Sequence, residues 1–482
     1  MLDTPFRSAI ELVRDIKAGR TSARALLELY LQRVDRLNPV LNAIVVQDRH
    51  AARLRADAAD AALARGEDWG PLHGLPMTVK ESYNLTGQAT TWGIPALRHN
   101  IAGRNAVSVQ RLIDAGANVF GKTNVPIELG DFQSYNAIYG TTRNPWDPTR
   151  TPGGSSGGSA AALAAGLTGL EMGSDIGGSI RNPAHYCGVF GHKPSWGLVP
   201  HNGQSLSDSR TGVDIAVLGP LARSAADLEL ALRLTAEPDE LDRPGLRFDL
   251  PVLAKPVSAL RIAVWHSDPI CPASADVRAR VDAVAAALGA AGAHIDAAAR
   301  PAFSAEHSHG IYRALLMAAI GSRTPPAPFA ASVARANALQ ADDPSELARM
   351  LRHQTLRLND WTVLDEARAR LRKGWQVFFQ DHDFMITPIM PTSAFAHDHG
   401  PFGGRTITID GVAYPYFNQT FWAGLSGVAL LPSTVIPTGP DAAGLPIGVQ
   451  IIGPMWGDLQ TIQLAQHLER LGFAFQTPAG CA

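Results

Sequence analysis

"TPGGSSGGSAAALAAGLTGLEMGSDIGGSIRNP", residues 151–183, frames three serines with glycines at two places joined by a run of small residues. The first place is Gly153-Gly154-Ser155-Ser156-Gly157-Gly158, the second Gly177-Gly178-Ser179. Glycine belongs where the backbone takes positive φ or where something must come close, and it weakens the interior of a helix or strand. A glycine-rich turn before a helix suits a phosphate. The P-loop pattern, however, needs Gly-Lys-Ser/Thr, and no lysine lies between 151 and 183. Ser155 and Ser156 each satisfy Gly-x-Ser-x-Gly, but that motif exposes a nucleophile only after a buried strand. The preceding "NPWDPTRTP" (144–152) carries prolines, which cannot donate to a central ladder. The remaining reading is a paired-serine site served by a lysine. Ser179 follows an apolar strand and a Gly-Gly turn, and the start of a helix there would aim free amides at its surroundings. The amides of Ile176, Gly177 and Gly178, with that of Ser179 itself, are the expected oxyanion donors. A nucleophilic serine also needs a base. A lysine serves only if burial or a neighbouring charge brings its pKa from about 10.4 toward neutrality. Lys80 ends the apolar segment "LPMTVK" (75–80), where burial is expected.

Composition narrows the class around this centre. The 482 residues are 46% hydrophobic and 18% charged, with a net charge of −2, so no basic field favours nucleic acid. No stretch approaches the roughly 20 apolar residues of a membrane helix, and the opening residues lack the apolar core of a signal peptide. Three widely separated cysteines, Cys187, Cys271 and Cys481, make neither a disulfide framework nor a zinc site, and a reducing cytoplasm is the expected location.

Strand-like segments at 43–46, 77–80, 118–123, 169–175, 260–266, 384–392, 427–437 and 445–453 alternate with helical patterns at 6–37, 49–65, 105–116 and 275–292. That alternation predicts an α/β fold, a mixed central sheet flanked by helices. Residues 236–258 read as an exposed loop. Residues 300–380 read as a helical excursion, the part least tied to the serine-rich centre.

The chain resembles the amidase signature family of serine hydrolases. The resemblance runs through "GPLHGLPMTVKE" (70–81), "GKTNVP" (121–126), "YGTTRNPWDP" (139–148), "PGGSSGGSAA" (152–161), "GSDIGGSIRNPA" (173–184) and "GLPIGVQIIG" (444–453). It implies one large domain over residues 1–482, hydrolysis of a carboxylic amide through an acyl-enzyme, and activity that extends to esters or carbamates. It assigns Lys80 as base, Ser155, on a cis peptide bond, as the proton bridge, and Ser179 as nucleophile. The two serines stand 24 positions apart, as in the family. Gly154 and Ser156 then support the loop. The relay requires no metal and no organic cofactor.

The expected partner is a small-molecule amide, with neither nucleic acid nor membrane, and a homodimer is compatible with the sequence. A transamidation subunit that releases ammonia from glutamine for misacylated tRNA is the alternative within the family. The segment 191–220 departs from the serine-rich block of that subunit, which favours a free-standing amidase. A non-catalytic binding protein on the same scaffold would lack the triad, and all three residues are present.

Other residues read as structural. Arg181 is expected to pair with an acid such as Asp175. His73, His185 and His192 have no evident acidic partner, and Cys187 reads as core filler. Trp92, Phe132, Tyr135, Phe417, Phe421 and Trp422 read chiefly as core. The apolar "IYRALLMAAIG" (311–321) and aromatic "YPYFNQTFW" (414–422) lean toward a bulky hydrophobic or aryl amide.

Overall fold

The computed structural model describes residues 4–206, 209 and 211–482; residues 1–3, and residues 207, 208 and 210 of the segment 191–220, lie outside the described residues. An eight-stranded mixed sheet forms the centre. Its order is His294–Asp296, Arg261–Val264, Phe384–Pro388, Pro446–Ile452, Ser433–Pro440, Phe190–Lys193, Val217–Ala222 and Glu171–Asp175. Arg261–Val264 pairs parallel with both of its neighbours, and every other pairing is antiparallel. Most of these strands are buried on both faces, so they read as apolar runs without alternation. The strands at 190–193 and 217–222 carry no period-2 signal and were not anticipated. A three-stranded sheet lies beside the large one, with Asn118–Thr123 between Ile44–Gln47 and Pro76–Lys80. The Thr78 amide donates to the Leu170 carbonyl at 3.4 Å, which brings the strand ending in Lys80 against the strand Glu171–Asp175.

The small-residue run between the two serine sites is the helix Gly157–Ala164, in which every residue is buried. A Cβ on Gly158 would run into the Asn124 backbone, so this helix approaches the small sheet more closely than side chains would allow. Burial on all sides explains why its sequence shows no amphipathic stripe.

Three expectations need correction. The helical pattern over 6–37 is two helices, Ala9–Lys17 and Ala23–Leu41. Gly19, at φ +68°, ends the first, and the Ser22 hydroxyl caps the second by accepting from the Ala25 amide at 3.0 Å. The apolar stretch 427–437 is not one strand. The helix Thr420–Val428 ends inside it and a strand begins at Ser433, with Pro432 between them. Short apolar runs do not distinguish a buried helix from a buried strand, and Pro432 disfavours helical geometry at the residue before it.

The third correction concerns the helical excursion. It consists of Ala305–Gly321, Pro326–Asn337, Glu346–Gln354 and Leu358–Asp381, and it is tied directly to the serine-rich centre. Tyr312, fully buried, donates its hydroxyl to the Ile176 carbonyl at 2.8 Å. Its ring packs on Gly424 and Gly427 of the helix Thr420–Val428. The segment 236–258 is irregular and mostly exposed, as expected, although Phe248, Leu250 and Leu253 pack on the core.

Gly424 supplies a test of this contact. A Cβ there would press on the Tyr312 ring, 2.8 Å from Cε1. Gly424→Ala should lower stability by about 1–3 kcal/mol through overpacking, read as a lower urea midpoint. An unchanged midpoint would mean that the ring has room to move.

Candidate active site

Lys80 is the last residue of its strand and is fully buried. Its Nζ lies 2.6 Å from Ser155 Oγ, 2.9 Å from Ser174 Oγ and 3.4 Å from the Ser174 carbonyl oxygen. Burial is the largest influence on this amine and pulls its pKa down to about 7, while Asp175, and Glu171 when ionised, act the other way. Glu171, also buried, is pushed up to about 8 by its own desolvation, opposed by hydroxyl donors such as Thr78.

The Gly154–Ser155 peptide bond is cis, as the resemblance implies. The loop is held on several sides. The Gly154 amide donates to Asn182 Oδ1 at 3.0 Å, and Asn182 Nδ2 donates to the carbonyls of Gly154 and Gly178. Asn182 thus bonds to both serine-bearing segments at once. Ser156 does the same from the other side. Its amide donates to the Ser179 carbonyl at 3.1 Å, and its hydroxyl donates to the Ser174 carbonyl at 3.3 Å. Ser179 is 7% exposed, against 1% for Ser155 and 0% for Lys80, so of the three it is the most exposed.

The turn before Ser179 is wrapped around Asp175. Its Oδ1 accepts from the Gly178 amide at 2.8 Å and its Oδ2 from the Ile180 amide at 3.1 Å. Arg181 closes the pair with Nε to Oδ2 at 2.9 Å and Nη2 to Oδ1 at 3.0 Å, as the sequence suggested. Burial works against the Asp175 charge, but Arg181 overcomes it and holds the carboxyl at about 2. The amides expected as oxyanion donors differ in whether their N–H is already used. The Gly178 amide is committed to Asp175, whereas the amides of Ile176, Gly177 and Ser179 donate to no acceptor among the described residues.

Two further buried lysines have lowered pKa values: Lys122 at about 8 and Lys193 at about 7, both chiefly through burial. Lys122 bonds to the Ala89 carbonyl and Thr90 Oγ1, and Lys193 to the Pro194 carbonyl at 2.8 Å. Neither reaches a serine of the two glycine-framed sites.

The three histidines are held by structural contacts, with two corrections to their partners, the first being His73, whose Nδ1 lies 3.6 Å from Asp68 Oδ1. His192 also has an acid: its Nε2 lies 3.1 Å from Asp458 Oδ1, and Asp458 also accepts from the Ser195 hydroxyl at 2.6 Å. The sequence hides that pair because 266 positions separate the two residues. All three side chains are fully buried, which leaves no space for a substrate. His185 sits between the Gly448 and Thr392 carbonyls, and His73 accepts from the Trp69 amide. Cys187 is fully buried, and all three cysteines are free. Phe132, Phe417, Phe421 and Trp422 are core residues, while Trp92 and Tyr135 are half-buried. Sequence reasoning missed Ser174, Asn182 and Tyr312, whose contacts at the site are long-range and carry no local signal. Among the described residues, no helix is long and apolar enough to cross a membrane.

Comparison with known proteins shows the family. A family model for amidases matches residues 25–462. The indoleacetamide hydrolase of Bradyrhizobium diazoefficiens is 33% identical over 475 residues, covering 96% of this chain and 86% of the relative. One component chain of the glutamyl-tRNA(Gln) amidotransferase of Synechococcus sp. (strain CC9605) is 31% identical over 499 residues, covering 96% of each. Among solved structures, one described with the evolutionary origins of an s-triazine catabolic enzyme, in an inhibitor-bound complex, superposes with a TM-score of 0.82. It is 31% identical and covers 97% of this chain and 99% of its own. The chain therefore belongs to the amidase signature family, enzymes that act on carbon–nitrogen bonds.

Proposed function

We propose that the protein hydrolyses a carboxylic amide to acid and amine through an acyl-enzyme on Ser179. The observation that carries this reading is the fully buried Lys80 Nζ at 2.6 Å from Ser155 Oγ, with the neighbouring Ser156 bonded to the Ser179 backbone. Neutral Lys80 accepts the proton of Ser155, and Ser155 accepts that of Ser179. Ser179 Oγ bonds to the carbonyl carbon, and the negative charge that develops on oxygen faces the free amides of Ile176, Gly177 and Ser179. The relay then returns its proton to the amide nitrogen, the C–N bond breaks and the amine departs. Water, deprotonated by the same relay, releases the acid and restores the Ser179 hydroxyl. The same steps apply to an ester or carbamate.

The substrate is proposed to be a bulky apolar or aryl amide. Ile176, half-buried at the turn, packs against a cluster that includes Tyr312, Phe417 and Phe421. The similarity to an indoleacetamide hydrolase supports the same class. If acetamide and glutamine were turned over far better than an anilide or an arylacetamide of similar reactivity, this assignment would be wrong. Similarity to an amidotransferase component supports the transamidation alternative, and that reading gains if hydrolysis requires partner chains.

Ser179→Ala should give a folded protein that a fluorophosphonate no longer labels. Wild-type chain alone should take the label on Ser179, and mass spectrometry of the labelled peptide decides the site. Label on Ser155 would reverse the two serine assignments.

Lys80 supports a second test. An amine leaves only when protonated, whereas a nitrophenolate departs unaided. Lys80→Ala should therefore cut amide hydrolysis by about a hundred- to ten-thousandfold, and hydrolysis of a nitrophenyl ester much less. Because the base must be neutral, wild-type kcat/KM should rise with pH through about 7 and level off above it. Equal losses on both substrates, with the rising limb intact in the variant, would make Lys80 structural.

A further inference from the structure

Gln204 lies outside the glycine-serine blocks, in the segment that departs from the transamidation subunit, yet its side chain reaches the base. Its Nε2 donates to Ser82 Oγ at 3.0 Å and to Ser174 Oγ at 3.3 Å. Ser174 Oγ in turn lies 2.9 Å from Lys80 Nζ. Gln204 is 7% exposed, and the backbone leading into it is anchored by hydrogen bonds. The Asn84 amide donates to the Gly203 carbonyl at 2.8 Å, the Val107 amide to the Asn202 carbonyl at 2.9 Å, and the Gln204 amide to the His201 carbonyl at 2.9 Å. Gly203, at φ +86°, permits this approach, since a Cβ there would stand 2.5 Å from Ala106 Cα.

A neutral lysine amine has two N–H donors and one lone pair. Three oxygens surround Lys80 Nζ: Ser155 Oγ, Ser174 Oγ and the Ser174 carbonyl. The carbonyl can only accept, so it takes one N–H. For Ser155 to pass its proton to nitrogen, the lone pair must face Ser155, which leaves the second N–H for Ser174 Oγ. If the Ser174 hydroxyl turned aside, the amine would be free to rotate and its lone pair would lose its aim. The carboxamide of Gln204 holds that hydroxyl in place. It also presents the positive end of its N–H dipoles toward the amine, which disfavours a proton there.

We propose that Gln204 is a positioning residue for the proton relay, acting through Ser174 to keep the lone pair of Lys80 directed at Ser155. The inference rests on Lys80 being the base. The charged and titratable groups facing Lys80 are Asp175 and Glu171, both on the strand Glu171–Asp175, and both favour its protonated form. The nearby Tyr83 hydroxyl is committed to the Gly173 carbonyl at 2.6 Å. The Gln204 amide therefore acts against the two carboxyl groups.

The test uses Gln204→Glu, Gln204→Met, Ser174→Ala and Ser174→Thr, each assayed on an amide substrate across pH, with thermal melting as the folding control. Gln204→Met should lower kcat about tenfold, the effect of one lost hydrogen bond, with KM little changed. Gln204→Glu replaces the dipole with a negative charge near the amine, and the rising limb of kcat/KM should move up by about one pH unit. Ser174→Thr keeps the hydroxyl and should retain activity. The losses in Gln204→Met and Ser174→Ala should not add in the double variant, because both break one chain of contacts. A limb that stays put in Gln204→Glu, or additive losses, would overturn the role of Gln204 while leaving Lys80 as the base. If Lys80→Ala itself kept the rising limb, the base assignment would fall and this inference with it.

Discussion

The site depends first on the buried ion pair between Asp175 and Arg181. Both side chains are essentially out of water, an arrangement that costs more than it returns unless each polar atom of the pair finds a partner. That condition is met. Asp175 takes the Gly178 and Ile180 amides as well as Arg181. Arg181 Nη1 bonds to the Ala423 carbonyl at 3.1 Å, Ser426 Oγ at 2.8 Å and Gln450 Oε1 at 3.1 Å. The pair therefore joins the turn that carries Ser179 to the helix Thr420–Val428 and the strand Pro446–Ile452. Because the Asp175 carboxyl is held at about 2, its contribution to stability is complete above the ordinary carboxylate range and disappears only as the pH falls through about 2.

The same pair sets a problem for Lys80 as the proposed base. A negative charge near Lys80 favours the ammonium form, and so does Glu171 when ionised. Two features offset this. Lys80 is completely dehydrated, which is the dominant influence on its proton, and the buried Glu171 is itself pushed up to about 8, so it is largely neutral at pH 7. The bonding of Asp175 to Arg181 further confines its charge to the turn. A carboxylate can thus shape the backbone around Ser179 without holding Lys80 permanently protonated.

How much of this was legible in the sequence follows from how local each interaction is. The glycine-framed serines, the apolar strand ending in Lys80 and the Asp175–Arg181 pair all lie within short segments, and short segments can be read. Ser174 was visible inside "GSDIGGS", but nothing local shows that its hydroxyl meets a lysine 94 positions away. Asn182 reaches Gly154 across 28 positions, and Tyr312 reaches Ile176 across 136. The hidden elements share a cause. The helices Gly157–Ala164 and Thr420–Val428, like the strands at 190–193 and 217–222, are buried on all sides. Complete burial removes the contrast between faces on which periodicity depends.

Burial alone does not single out Lys80 as the proposed base, because it lowers three lysines to similar values. Hydrogen-bond chemistry separates them. Lys193 Nζ meets the Pro194 carbonyl, an oxygen that accepts and has no proton to give. Lys122 Nζ meets the Ala89 carbonyl and the Thr90 hydroxyl, and that hydroxyl lies near the Tyr83 carbonyl, 3.3 Å away, which takes its proton. Lys80 alone among them touches a hydroxyl from the glycine-framed loops, and its other contacts fall on Ser174. A depressed pKa makes a lysine able to act as a base. An adjacent hydroxyl that can surrender a proton gives it something to act on, and among these three that hydroxyl is Ser155.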